Sequence, residues 1–569
     1  MRIPLLFLVL LLASLGHAEL IVEGVDAELQ RNVRSYVALA GEPCDAESWL
    51  VRRRFRTVVP EVQTALQPYG YYDPIIETAL EQTPDCWKAT IRIDTGKPIT
   101  LRNVAIAVEA APGDRDNFAD LIAAPVLTAG SRLRHSDYEL LKESLQIRAA
   151  ERGYVEAAFL ESAIDVWPEE HAADLALNFA SGPRYDFGDI ALAQSVLDES
   201  LVRAFLDFEP GMPYDNRLLT KAYNDLSRSG YFSRIELMPE FERASNQQLP
   251  VSIVLEPADR IEYAVGLGIS TDTGPRARAG FQNRRVNDRG HRLQTDLSVS
   301  AVLQGLSAEY RKPLTDPRTE WLSYTGALSS ENTDSSDSDT ARIGVRRSKQ
   351  IRPEWMRTLS LDVSYDRYVI GGVDSSSRLV LPGITYDHKR ADLDLFPTRG
   401  HRLTLELRGA AEFLVSDTSF LQAILGARLV RSLSEDSRLL ARATLGVTAQ
   451  SAFSELPPSV RFYAGGDESV RGFGYETLGP TDDLGNVIGG SNLLVASIEY
   501  EHRLRNNFYG AIFVDAGNAF DDLDVDAAVS AGLGVIWRSP VGPLRFYLAH
   551  PLNQSNRSVR LHIHLGADL

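Results

Sequence analysis

From about Arg260 to the carboxyl terminus the apolar residues recur at every second position, and no other feature constrains the fold as tightly. Leu293, Thr295, Leu297, Val299 and Ala301 share one side of a run whose other side is Gln294, Asp296, Ser298 and Ser300. Leu403, Leu405 and Leu407 alternate with Arg402, Thr404, Glu406 and Arg408, and Leu359, Leu361, Val363 and Tyr365 alternate with Ser360, Asp362 and Ser364. Period two marks a strand with two unlike faces. A water-soluble sandwich alternates as well. What favours lipid is the number of runs, the lack of helices between them, and their length of ~10 residues or more, which suits a tilted membrane-spanning strand. Lipid leaves no strand edge unpaired, so such a sheet has to close. We count about sixteen strands over 259–569, an even number as in bacterial barrels. The first, Ile261 to Ile269, turns Ile261, Tyr263, Val265 and Leu267 outward and Gly266 and Gly268 inward. The last, Val559 to Leu565, turns Val559, Leu561, Ile563 and Leu565 outward. Glycine at their meeting point weakens packing, or simply lines a lumen.

The amino terminus fits export. Arg2, the apolar run Ile3–Leu15 and the exit Gly16-His17-Ala18 make a signal peptide over 1–18, short of the ~20 residues of a spanning helix. A chain of 569 residues points to two or more domains, and a net charge of −18 argues against a nucleic-acid partner. With 24% charged residues a bundle of transmembrane helices is excluded, whereas a barrel is not. Cys44 and Cys86 are the only cysteines, and in an oxidising compartment they are expected to form a disulfide. Neither has a second cysteine or a histidine at ligand spacing, so no metal is expected.

Between the two lies a threefold pattern: an amphipathic helix, then Gly-Tyr, then two strand-like runs. The junctions are Gly70-Tyr71, Gly153-Tyr154 and Gly230-Tyr231. Glycine supplies the left-handed residue that ends a helix, and tyrosine favours a following strand. Ser136 and Glu139 read as a capping box ahead of Tyr138, Leu141 and Leu145; Asp215 reads as the cap ahead of Leu219, Ala222 and Leu226. In the first copy Phe55, Val58 and Val62 keep helical spacing, and Pro60 implies a break or second start. Three α+β domains follow, over 19–97, 98–183 and 184–258, in series as an arm.

One connection in the barrel is long: about forty residues separate the strand ending near Thr448 from the one starting near Asn492. It holds Gly465-Gly466-Asp467 and then Val470-Arg471-Gly472-Phe473. With Leu494, Ala496, Ile498 and Tyr500 outward, Glu499 faces the lumen; with Ile512 and Val514 outward, Phe513 and Asp515 do too. Two inward carboxylates on adjacent strands suit a guanidinium. On charges alone, an ordinary polar lumen with an exposed loop arginine fits equally well.

Val-Arg-Gly-Phe ahead of an inward Glu strand and a Phe-Val-Asp-Ala-Gly strand resembles the outer-membrane assembly-factor superfamily related to BamA. Three repeats, Gly70-Tyr71-Tyr72, and Ser539-Pro540-Val541-Gly542-Pro543-Leu544 are similar to its TamA subfamily. The resemblance implies periplasmic POTRA repeats ahead of a transmembrane antiparallel barrel of sixteen strands in the outer membrane. It implies that Arg471, Gly472 and Phe473 enter the lumen, with Glu499 and Asp515 as wall partners. It also implies an assembly or translocation factor for outer-membrane proteins such as autotransporters, rather than an enzyme. The implied partners are a TamB-like inner-membrane-anchored protein at the POTRA arm, client proteins and outer-membrane lipid, with no cofactor. The carboxyl-terminal Ala567-Asp568-Leu569 departs from the pattern by lacking a terminal aromatic residue. A two-partner secretion transporter and a passive pore are the rival readings.

Overall fold

The computed structural model describes residues 18–569 apart from 83–85, 124–126, 334–335, 394–395, 522–524, 540–541, 554–558 and 566–569. The expected signal peptide except Ala18, Pro540-Val541, the side chain of Leu565 and the terminal Ala567-Asp568-Leu569 lie outside the described residues. Contacts divide the chain into two compact units: 1–191 with 208–220 and 238–252, and 192–207 with 221–237 and 253–569.

The first repeat runs β1 (Glu19–Glu23), α1 (Ala27–Tyr36), α2 (Ser48–Phe55), α3 (Val58–Leu66), β2 (Ile75–Gln82) and β3 (Trp87–Asp94). The second runs β4 (Thr100–Glu109), α4 (Ala119–Ile122), α5 (His135–Arg152), β5 (Ala158–Trp167) and β6 (Ala172–Ala180). The third runs β7 (Asp186–Ala193), α6 (Glu199–Arg203), α7 (Asn216–Ser229), β8 (Phe232–Pro239) and β9 (Gln248–Pro257). Each forms a three-stranded sheet with its last strand central, in the orders β1-β3-β2, β4-β6-β5 and β7-β9-β8. Parallel pairing of β1 with β3 and of β4 with β6 is what lets the helices cover one face. Alternate residues of the central strands, Trp87, Ala89, Ile91 and Ile93 in β3 and Ala173, Leu175, Leu177 and Phe179 in β6, are buried under those helices. Cys44 and Cys86 are joined by a disulfide.

One local expectation is corrected. Ser136 does not cap α5: the helix begins at His135, its N-cap is Arg134 without a side-chain bond, and Ser136 Oγ contacts Asp137 instead. The helix start is set by the incoming chain, where Leu133 is buried and its N–H bonds to the Ile99 carbonyl. Strands follow the junctions as β2, β5 and β8, which start at Ile75, Ala158 and Phe232. Tyr154 and Tyr231 are buried packing residues. Gly70, Gly153 and Gly230 do adopt the left-handed conformation, at φ 84°, 84° and 67°. The first two also admit the following repeat: a Cβ on Gly70 would sit 2.4 Å from the Leu133 carbonyl oxygen, and one on Gly153 2.8 Å from Tyr214 Cβ. Their carbonyls accept from Ile99 N–H and Tyr185 N–H, each at 2.8 Å. Asp215 Oδ1 accepts from the Arg217 N–H at 2.9 Å, inside the first turn of α7.

The barrel strands are β10 (Ile261–Ser270), β11 (Gly274–Asn283), β12 (Arg292–Ser300), β13 (Leu303–Pro313), β14 (Glu320–Asn332) and β15 (Ser336–Arg352). They continue as β16 (Trp355–Ile370), β17 (Val373–Ala391), β18 (Arg399–Ala410), β19 (Phe420–Ser432) and β20 (Ser437–Gln450). After the long connection come β21 (Asn492–Arg505), β22 (Phe508–Phe520), β23 (Ala528–Ser539), β24 (Gly542–Pro551) and β25 (Arg560–Leu565). All sixteen form one antiparallel sheet in chain order. Parity is as read: Leu359, Leu361, Val363 and Tyr365 are exposed on the lipid-facing side, while Asp362 and Ser364 are buried. Among the described residues no ladder joins β10 to β25, so the sheet is nearly closed with a seam. Gly266 of β10 faces open space, and Gly268 leaves room for the Arg276 side chain.

The second unit also contains residues 192–207 and 221–237, which grip two hairpin turns of the barrel. The Tyr231 hydroxyl donates to the Gly290 carbonyl at 2.6 Å, and Arg292 stacks 4.1 Å over the Tyr231 ring. Arg318 Nη1 reaches Asp207 at 2.7 Å and Asp225 at 3.3 Å. Burial alone would raise the Asp207 carboxyl, but the Lys221 and Arg318 cations hold it below the ordinary carboxylate range. A carboxylate depressed in the folded state stabilises above its unfolded value, and that contribution is lost as pH falls through the folded one. Acidification below about pH 4 should therefore loosen this grip. Hydrogen exchange over 198–207 and 316–319 should speed up at pH 3 relative to pH 7, and Arg318→Ala should produce the same acceleration already at pH 7.

Candidate functional site

The residues between β20 and β21 fold against the inner wall. Loop backbone pairs, Phe462 with Gly490 and Ala464 with Leu478, give them a fixed shape. Val470 and Phe473 are buried in an apolar cluster with Ala464, Leu478, Val495 and Ala528. This cluster pins both flanks of Arg471-Gly472. Left-handed backbone at Gly465, Gly466 and Gly472, with φ 101°, 100° and 93°, makes the sharp reversals a β-carbon would strain.

Arg471 is 4% exposed and meets the wall with its whole guanidinium. Nε and Nη2 donate to the two oxygens of Asp515 at 2.8 and 2.9 Å, a bidentate fork. Nη1 donates to Glu499 Oε2 at 2.6 Å and Nη2 to Ser497 Oγ at 3.1 Å. The Arg471 backbone N–H adds a bond to Asp515 at 3.0 Å. Its plane lies 3.4 Å from the Phe513 ring centroid and 4.5 Å from that of Tyr547. Register explains the convergence: Ser497 pairs Asp515 and Glu499 pairs Phe513 across β21 and β22. All four point inward because they share one parity. The structure thus brings together Val470, Arg471, Gly472, Phe473, Glu499, Phe513 and Asp515.

Further residues complete the site. The Tyr547 hydroxyl donates to Glu499 Oε1 at 2.5 Å. Arg442 on β20 donates to the carbonyls of Asp467 and Ser469, at 3.2 and 3.0 Å. His562 Nε2 accepts the Gly472 N–H at 2.8 Å. Parity was the available signal for Ser497, Tyr547 and His562, since their neighbours Ile498, Phe546, Leu548 and Leu561 are outward. Nothing in the sequence ties Arg442 to the loop, because its hydrogen bonds there go to backbone carbonyls and only a looser ion pair reaches the Glu468 side chain. Gly532 and Gly534 make room for the aromatic pair: a Cβ on each would lie 2.4 Å from the Phe513 ring and 2.2 Å from the Tyr547 ring.

Among the described residues one group has the donor types of a metal site. Asp272, Asp467 and His562 hold their ligand atoms within 4.8 Å of one another. Those atoms are engaged in hydrogen bonds within the group and to Ser270 and Gly472. Burial and then the Asp467 charge push the Asp272 carboxyl up to about 6.

Three small α+β domains ahead of a sixteen-stranded sheet with a lipid-facing apolar exterior, its lumen entered by an ion-paired loop, define a class: an outer-membrane β-barrel with periplasmic POTRA domains. Residues 286–568 match the Omp85 superfamily domain, and residues 19–95 match the POTRA domain described as TamA domain 1. The chain therefore carries an Omp85 superfamily barrel behind a TamA-type POTRA domain, and it is homologous to BamA. It is 22% identical over 594 residues to the outer membrane protein assembly factor BamA of Neisseria meningitidis serogroup B, covering 89% of this chain and 72% of that one. Against the BamA of Nitratidesulfovibrio vulgaris it is 20% identical over 365 residues, covering 60% of this chain and 46% of the relative, less than half its length. The crystal structure of BamA from Haemophilus ducreyi lacking POTRA domains 1–3 shares the fold, with a TM-score of 0.69, 17% identity, and coverage of 82% of this chain and 99% of that one.

Proposed function

We propose that this chain is an outer-membrane assembly and translocation factor that helps insert or secrete outer-membrane proteins such as autotransporters. The observation that carries the reading is the loop fixed to the inner wall through Arg471 beside a seam that, among the described residues, has no strand pairing. A barrel built only for diffusion has no need of an unpaired edge or of three domains in front. The edges of β10 and β25 present backbone groups that a client strand can pair with, and the outer strands β2, β5 and β8 offer similar edges for a partner. A TamB-like inner-membrane-anchored protein is the partner we assign to these domains, with outer-membrane lipid as the surroundings of the seam. The work consists of templating and opening, so no catalytic group or cofactor enters the reading.

The test is photocrosslinking in cells from Leu267 on β10, Leu561 on β25 and Met238 on β8, all exposed positions. Nascent outer-membrane proteins should be captured from the first two, and a large inner-membrane-anchored protein from the third. Capture of a single dedicated secreted polypeptide would favour the two-partner transporter. No client adduct at either strand would overturn the proposal.

A further inference from the structure

β10 and β25 lie at the two ends of the sheet order, and among the described residues no ladder joins them. Val265 and Leu267 of β10 are each 84% exposed, against 43% for Leu494 and 50% for Val514 on fully paired strands. Their β11 partners are the small residues Ala279 and Ala277, which together with the missing ladder on the other side leaves both side chains open. What spans the gap lies on the lumen side. Asp467, from the Gly-Gly-Asp stretch ahead of the Val-Arg-Gly-Phe tip, touches both edges at once. Its Oδ2 accepts from Ser270 Oγ at 2.8 Å, where β10 ends, and its backbone N–H donates to Asp272 just beyond. Its Oδ1 meets His562 Nδ1 on β25. The Gly472 N–H already occupies His562 Nε2, so Nδ1 carries the proton donated to Asp467. Arg442 holds the Asp467 carbonyl from β20, and Arg471 holds the loop on β21 and β22.

We propose that Asp467 is a latch residue: through Ser270 and Asp272 on one side and His562 on the other, the docked loop keeps the first and last strands of the sheet together. The geometry makes two motions into one. If β10 and β25 part, Asp467 must release one of them; if the loop leaves the wall, both lose their shared tie. Undocking of Arg471 and opening of the seam are therefore mechanically coupled.

The experiment reads this geometry rather than export, so it stands apart from the functional reading. Spin labels are placed at Leu267 and Leu561 in the full chain, reconstituted in discs of phosphatidylethanolamine and phosphatidylglycerol. Pulsed dipolar distances are then recorded. The parent should give one narrow short-distance population. Asp467→Ala should add a longer one, raising the open fraction about tenfold, the scale of one charge-assisted hydrogen bond lost. His562→Ala should do the same, and the double variant should exceed neither single by more than twofold, because both break one tie. Glu468→Ala, which removes loop contacts to Arg428 and Arg442 on β19 and β20, should leave the distribution unchanged. Heat-modifiable gel mobility reports barrel folding; should Asp467→Ala fail to fold, Ser270→Ala and His562→Ala carry the comparison. A parent-like distribution in folded Asp467→Ala, or in both Ser270→Ala and His562→Ala, overturns the latch, as does full additivity of Asp467→Ala and His562→Ala.

Discussion

Arg471→Ala is expected to release the loop from the barrel wall. The substitution leaves Asp515 and Glu499 buried without the cation that engages both, and it strips the cation from the faces of Phe513 and Tyr547. Breaking one partner out of a buried charge network costs about 3–5 kcal/mol, which shifts the docked-to-undocked ratio by roughly 10²–10⁴-fold. Limited proteolysis within 461–491 should accelerate accordingly in the folded barrel, while heat-modifiable mobility persists because the sheet hydrogen bonds are untouched. Arg471→Lys should rescue little. An ammonium cannot fork to both Asp515 oxygens while also reaching Glu499 and Ser497. Parent-like proteolysis of Arg471→Ala would show that the apolar cluster around Val470 and Phe473 holds the loop without it.

Gly532→Val should strongly damage the wall. Its β-carbon would stand 2.4 Å from both the Leu548 carbonyl oxygen and the Phe513 ring. Backbone cannot yield there without disturbing the β23–β24 ladder, in which Gly532 pairs Ala549. The ring must turn away, and Arg471 then loses the face it stacks on. Overpacking of this kind costs about 1–3 kcal/mol or more. The melting temperature of the folded barrel should drop, and loop proteolysis should approach that of Arg471→Ala. Gly426→Val, at a glycine with open space around its Cβ position, is the matched control and should leave both unchanged.

Reading Glu499, Phe513 and Asp515 as one inward set required only the alternation of their neighbours. The pleat permits no other choice once Ile498, Ile512 and Val514 face lipid. The same rule held His562 and Tyr547 within reach, but a strand pattern does not say which inward residues from distant strands lie level with one another. That depends on register and on curvature of the whole sheet. The loop presented the converse situation. Its Arg471 was visible through the motif, whereas Arg442, Ser270 and Asp272 touch loop backbone or a single carboxylate and leave no pattern in the sequence. At the repeat junctions glycine could be read as a helix end because the left-handed conformation is a local requirement. That Gly70 and Gly153 also admit the next repeat, and that Tyr231 seats on the Gly290 turn, are matters of contact between elements.

The sequence by itself determined the elements: three helix-then-strand repeats, a long series of two-faced strands, and a loop bearing a cation ahead of two inward acids. These follow from local conformational preference and from which side chains tolerate water or lipid, and both act over a few neighbouring residues. The tertiary structure alone decided that, among the described residues, no ladder joins the first and last strands and that Asp467 bridges them. Closing a sheet is a global balance among sixteen strand tilts and registers. Whether the two final edges come within hydrogen-bonding distance is fixed by the sum of those geometries, not by any residue in either strand.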